Sequence, residues 1–229
     1  MAKKRTTRKE LLKGPDEFFT LTGKVIQWSR ENAKALMTGI CIFLGVVILS
    51  SGYRMYSSAQ RQSASALFSN TLSSYKQAVQ DKENATEVLD TVSADFARLI
   101  DQYGGQAEGQ LGRIVYGHIE LSGKSTDKAI ASYQKAFGEY DNDPTLRNVV
   151  LNGLATAHME KGDESAAIDD FEKIASGSSK ILVDSALFNL GSLYTKTGDV
   201  EKGKQYFERL TKEFPNSLFA DIAREKAAG

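Results

Sequence analysis

Several side chains in this sequence are of types that do chemistry, and their spacing decides whether they can. Ser122-Gly123-Lys124-Ser125 has the ending of a phosphate-binding loop, in which backbone N–H groups cradle phosphates and the lysine reaches the outer ones. Such a loop needs four residues between its first glycine and the Gly-Lys-Ser, after a strand. Gly117 leaves five, on a segment of helical period with no strand before it, so nucleotide binding is not expected. Gly104, Gly105, Gly109 and Gly112 do not form a dinucleotide fingerprint and read as joints between helices. His118 and His158, the chain's only histidines, each stand alone on a helical segment without further ligands and read as structural. The acidic pairs Asp169-Asp170 and Asp141/Asp143 fall where charged helix faces and turns belong, so no set of nucleophile, base and orienting group can be assembled. Cys41 is the single cysteine, which excludes an intrachain disulfide and a cysteine-based metal site. No catalytic residue, cofactor or metal is expected; a hydrolase using Asp or His in a groove is the distant alternative.

Ala35 to Tyr53 is a run of nineteen residues without a charge, flanked by Lys34 and Arg54. At ~1.5 Å per residue a helix of this length spans roughly 28 Å, close to the ~30 Å of a bilayer's hydrocarbon core. It reads as one membrane span. Cys41 fills space inside it. Residues 1–34 carry nine Lys or Arg, whereas residues 54–73 carry only Arg54 and Arg61, which places the N-terminus in the cytoplasm and the C-terminal part outside. The balance of 29 basic and 29 acidic residues thus conceals a basic tail and an acidic remainder. Thirty-four residues precede the apolar run, too many for a cleaved secretory signal, so an uncleaved anchor is expected.

The basic stretch before Gly14 has no apolar period and reads as a topology signal that also attracts anionic lipid. It lacks a base-reading element, and no nucleic-acid partner is expected. Gly14-Pro15-Asp16-Glu17 reads as a helix start, and Phe18, Leu21, Val25 and Trp28 line one face of a juxtamembrane helix. Beyond the span, residues 54–80 keep helical composition. The polar residues 81–84 form a turn, and Val88, Val92, Phe96, Leu99, Ile100 and Tyr103 mark a second helix, giving a hairpin.

A repeat follows. Leu187–Pro215 aligns with Leu151–Ser179 at an offset of 36: Leu190 falls on Leu154, Gly191 on Ala155, Gly198-Asp199 on Gly162-Asp163, and Phe207 on Phe171. A looser copy runs from about Leu111 to Tyr140, with Ala129, Tyr133 and Ala136 standing 38 residues before Ala167, Phe171 and Ile174. That copy has an extra residue in its turn. The pattern resembles the tetratricopeptide repeat, a helix-turn-helix unit of ~34 residues. Leu187, Leu190, Gly191, Tyr194, Gly198, Phe207 and Pro215 match the family's positions, with Gly203 in place of its alanine; His158 and Ser179 are departures in the middle copy. Asp143-Pro144 reads as a helix cap and first turn, and Leu218, Phe219, Ile222 and Ala223 as a closing helix. The expected fold is all-α, a single transmembrane helix followed by a tetratricopeptide-like solenoid of helical hairpins. The domains would be residues 1–34 (cytoplasmic tail and juxtamembrane helix), 35–53 (span) and 54–229 (periplasmic repeat domain).

The resemblance implies that the first helix of each repeat lines a peptide groove, which would bring Asn152, Thr156 and Met159 beside Phe188, Ser192, Thr195 and Lys196. These positions lack the lysine and asparagine clamp that reads acidic C-termini, so the groove suits extended or unfolded chain. It also implies that Gly191 sits where helices cross closely.

From Trp28 through Tyr75 the sequence further resembles the bacterial ancillary Sec-translocon subunit family, through Trp28-x-x-Glu31-Asn32-x-Lys34-x-Leu36-x-x-Gly39, then Gly52-Tyr53-Arg54-x-Tyr56, and the Ala/Ser-rich Ala64 to Leu67. The basic extension at residues 1–13 departs from that family. The resemblance implies a non-enzymatic inner-membrane protein whose partners are Sec translocon subunits, periplasmic chaperones and unfolded envelope proteins, besides the lipid bilayer. A repeat adaptor for envelope assembly or cell division is the alternative.

Overall fold

The computed structural model describes residues 17–80 and 85–228, with side chains from 22 and from 89 onward in the two segments. The expected helix start at residues 14–16 and the polar turn at 81–84 lie outside the described residues. The chain divides into two compact units between Gln60 and Arg61.

In the first unit, α1 (Glu17–Glu31) is separated only at Asn32 from α2 (Ala33–Gln80), whose residues from Arg61 on belong to the second unit. Hydrogen bonding passes through this point: the Asn32 N–H donates to Trp28 O and the Leu36 N–H to Asn32 O, both at 2.9 Å. The Asn32 side chain also donates to Trp28 O at 2.9 Å. α2 runs for 48 residues without proline, and nothing in its apolar part is covered: Phe43 is 67% and Leu49 76% exposed. A soluble core helix of this composition would bury that surface. Among the described residues, α2 is the one helix long and apolar enough to cross a membrane.

In the second unit, the C-terminal part of α2 buries Ala64, Thr71 and Ala78. These stand seven residues apart and so share a helix face. Leu67, Phe68, Leu72 and Tyr75 pack against Val92, Phe96 and Leu99 of α3 (Ala85–Tyr103) and Ile119 of α4 (Ala107–Ser122). Phe68 meets Phe96 edge-on, with ring centroids 6.3 Å apart, so the two helices touch as the expected hairpin requires. Gly109 and Gly112 do not join helices; both lie inside α4, where a Cβ would run into the Tyr103 backbone at the first and come within 2.7 Å of Leu99 Cδ2 at the second.

Three hairpins follow: α4 with α5 (Thr126–Glu139), α6 (Pro144–Lys161) with α7 (Glu164–Ser176), and α8 (Val183–Lys196) with α9 (Val200–Glu213). With few exceptions each helix packs on its neighbours in sequence. Tyr133, Phe171 and Phe207, all fully buried, occupy one repeat position. Gly117, Ala155 and Gly191 each precede that aromatic by sixteen residues. A Cβ on Gly191 would lie 2.6 Å from Phe207 Cε1, and one on Gly117 2.7 Å from Tyr133 Cε1, so these glycines are demanded by close crossing rather than by backbone freedom.

The turns of the second and third hairpins are built alike. Gly162 and Gly198 take left-handed φ values of 80° and 98°, which only glycine adopts without cost. The next residue, Asp163 or Asp199, caps the following helix, its carboxylate accepting from Ala166 N or Lys202 N at 3.1 Å. Since the sixteen-residue spacing holds in all three copies, the first has no extra residue in its turn. The added length lies in α6, whose Pro144 starts eleven residues before Ala155, whereas α8 starts eight before Gly191. Asp143 caps α6 as expected, accepting from Thr145 N and Leu146 N at 3.0 Å.

α10 (Ala220–Ala228) closes the stack with Ala220 and Ala223 buried and Phe219 packed beside them. Leu218 does not contribute: it precedes the helix and is 95% exposed, and Ile222 is 48% exposed on the outer face.

Candidate functional site

The groove candidates fall on α6 and α8 at matching repeat positions. Thr156 Oγ1 donates to Asn152 O at 2.8 Å, Ser192 Oγ to Phe188 O at 3.0 Å and Thr195 Oγ1 to Gly191 O at 2.8 Å. The three hydroxyls are thus satisfied within their own helices and keep only acceptor capacity. Met159 is 40% exposed. Phe188 is turned toward the end of the stack, stacking on Phe219 at 4.9 Å and meeting Phe207 edge-on at 5.8 Å. Lys196 pairs with Glu164 at 2.5 Å. Of the seven, Thr195 lines a true cleft, about 380 Å³, shared with Val200, Glu201, Lys204, Phe207 and Lys226. Gly203 is required by the close approach of α9 to α8, since a Cβ there would run into the Thr195 hydroxyl and lie 2.7 Å from Gly191 O.

Ser122-Gly123-Lys124-Ser125 is the turn between α4 and α5. Lys124 and Ser125 stand 38 residues before Gly162 and Asp163, and Lys124 takes the left-handed φ of 59° that glycine holds in the other copies. The N–H groups of Gly123, Lys124 and Ser125 donate to Ile119 O, Leu121 O and Glu120 O at 2.8–2.9 Å, so none is free to cradle a phosphate.

Neither histidine is alone. His118 Nδ1 and the Tyr133 hydroxyl are 2.6 Å apart; burial pushes the imidazole below its ordinary pKa and the phenol well above its own. His158 Nδ1 meets Asp170 Oδ2 at 3.0 Å, and Lys173 Nζ donates to Asp170 Oδ1 at 2.8 Å. Asp170 is not on a solvated face as its sequence context suggested; its side chain is 6% exposed. Among the described residues no cluster of three or more His, Cys, Asp or Glu could hold a metal ion.

His158 and Asp170 line a cavity of about 280 Å³ whose walls are Leu151 and Leu154 of α6, Phe137 of α5 and Ala166 of α7. The 36-residue offset maps this place onto the next interface, where His158 becomes Tyr194, Ala166 becomes Lys202 and Asp170 becomes Tyr206. There the two tyrosine rings stack at 5.6 Å. Their hydroxyls donate to Glu172 Oε1 at 2.7 and 3.0 Å, and Lys202 Nζ donates to the same oxygen at 3.2 Å while lying 4.0 Å over the Tyr194 ring. Burial raises the Glu172 pKa, but the two hydroxyls and the ammonium more than offset it and hold the group below the ordinary carboxylate range. Tyr206 is pushed up to about 12, chiefly by burial and then by Glu172.

Comparison with known proteins fits this architecture. The tetratricopeptide repeat-like domain family matches residues 26–217. The chain belongs to that family. The match takes in the apolar part of α2 as well as the hairpins. No curated protein matches the chain. Among solved structures, a tetratricopeptide repeat protein from Parabacteroides merdae aligns at 15% identity and TM-score 0.51 over 68% of this chain, which spans 59% of that protein's length. Kinesin light chain-like repeats from Podosopora anserina align at 12% identity and TM-score 0.56, covering 70% of this chain and 84% of theirs. MamA aligns at 17% identity and TM-score 0.50, covering 65% and 87%. These likenesses show the repeat fold.

Proposed function

We propose that the chain is a membrane-anchored accessory of the Sec translocon that holds emerging or unfolded envelope proteins, acting as a scaffold or chaperone and not as an enzyme. The observation that carries this reading is α2: one helix supplies both an uncovered apolar run of bilayer length and the first packing face of the repeat unit. The family match beginning at residue 26 supports treating the two as parts of one design. The resemblance of Trp28 through Tyr75 to the ancillary translocon subunit supports the choice of channel. In this reading residues 1–34 are cytoplasmic, 35–53 cross the inner membrane and 54–229 are periplasmic. Clients lie along Asn152, Thr156, Met159, Phe188, Ser192, Thr195 and Lys196.

Photo-crosslinkers placed along residues 35–53 in native membranes test the reading. Channel subunits are expected among the adducts; their absence at every position would refute the translocon role and favour an adaptor for envelope assembly. Topology is checked with a reporter active only in the periplasm, which is expected to work when fused after Gly229 and to be silent at the N-terminus.

A further inference from the structure

The cavity between α5 and α7 and the tyrosine cluster between α7 and α9 are the same place in successive repeats, once open and once filled. At the filled interface the larger side chains are Tyr194, Lys202 and Tyr206; at the open one they are replaced by His158, Ala166 and Asp170, each smaller. The recognition chemistry is nevertheless retained. A buried carboxylate (Asp170) faces the cavity, a lysine (Lys173) stands beside it, and Leu151, Leu154 and Phe137 supply apolar wall. Each oxygen of Asp170 holds one donor, from His158 or from Lys173, and a carboxylate oxygen accepts two. Capacity for an incoming hydroxyl remains.

We propose that this cavity is a docking pocket for a tyrosine side chain presented by a partner protein. The filled interface displays the interactions expected: a phenol hydroxyl donating to a carboxylate, and a lysine ammonium over the ring. The volume of about 280 Å³ lies just under the range of ~300–1,000 Å³ that holds whole small ligands, which suits one side chain. Asp169 and Asp170 against Lys173 leave the lining net negative, so a neutral donor is favoured over a carboxylate or phosphate. The pocket shares no residue with the groove on α6 and α8, and its occupancy does not depend on the translocon reading.

The test uses the full chain in detergent micelles, with amide and methyl resonances of Ala166 and Leu154 followed by NMR. N-acetyl-tyrosinamide is expected to shift both saturably. N-acetyl-phenylalaninamide, lacking the hydroxyl, should bind about tenfold more weakly, the worth of one hydrogen bond to a charged acceptor. Ala166→Leu fills the cavity at a position where the next repeat carries a lysine, and should abolish the shifts without lowering the melting temperature. If that variant misfolds, His158→Tyr serves in its place. The proposal is overturned by no saturable shift, by equal or tighter binding of the phenylalanine compound or of N-acetyl-lysinamide, or by binding that persists in the filled variant.

Discussion

The second and third hairpins each pack their first helix against the second helix of the hairpin before, yet the two junctions differ in what fills the space beside that contact. Between α7 and α9 two stacked tyrosines and Lys202 converge on Glu172; between α5 and α7 a His158–Asp170 pair borders open volume. The aliphatic and aromatic positions beneath are unchanged in kind: Leu151 and Leu154 answer to Leu187 and Leu190, and Phe171 to Phe207. A repeat therefore separates two tasks. Its buried crossing positions hold the stack together, and the layer above them is free to become a polar cluster or a pocket.

The crossing positions should be where this division breaks most severely. Gly191→Leu would force a side chain into Phe207, and Gly117→Leu into Tyr133, each costing on the order of 1–3 kcal/mol by overpacking, against a total of ~5–15 kcal/mol for a domain. Thermal unfolding followed by circular dichroism should show both variants melting earlier. An unchanged melt at either site would show that the crossing is looser than described.

Next in size is the polar layer. Glu172→Ala removes the acceptor of three donors, and its partial exposure limits the loss to about 1 kcal/mol. Gln134→Ala, at the position 38 residues earlier, should change stability by under ~0.5 kcal/mol. Equal losses would mean that the open interface is as tightly organised as the filled one.

Acid sharpens the contrast further. The folded-state pKa of Glu172 is depressed, so its contribution is present above the ordinary carboxylate value and lost as pH falls through the depressed one. Glu172→Gln should flatten that limb of a stability–pH profile. His118 is also depressed, by burial. The unfolded chain then binds the extra proton first, and stability falls as pH drops below the ordinary value of 6.5. His118→Phe should remove that slope.

The smallest effect is expected at Lys196, whose pair with Glu164 is 70% exposed on the lysine side. Lys196→Ala should cost below about 1 kcal/mol, so under the proposed function a large loss in holding unfolded substrate would report on the groove itself.

Much of this was legible in the residues. The 36-residue offset located the hairpins, the Gly-Asp turns and the crossing at Gly191, because each depends on a local steric rule. The His158–Asp170 contact joins residues twelve apart on two helices of one hairpin, which no helix period brings together. The signal for it was the same offset, which sets His158 on Tyr194 and Asp170 on Tyr206. Leu218 misled for a simpler reason: apolarity shows a preference for burial, but α10 begins only at Ala220, leaving that side chain outside the helix that does the packing.

Because each helix of the second unit packs mainly on its neighbours in sequence, closing any contact requires only a short loop, and contact order is low. Such a chain can assemble hairpin by hairpin as it is delivered, without waiting for its last residues. The same connectivity lets it open helix by helix from α10. Amide exchange should be fastest in α10, slower in α9 and α8, and slowest around Tyr133 and Phe171, a gradient along the chain rather than one global unfolding event.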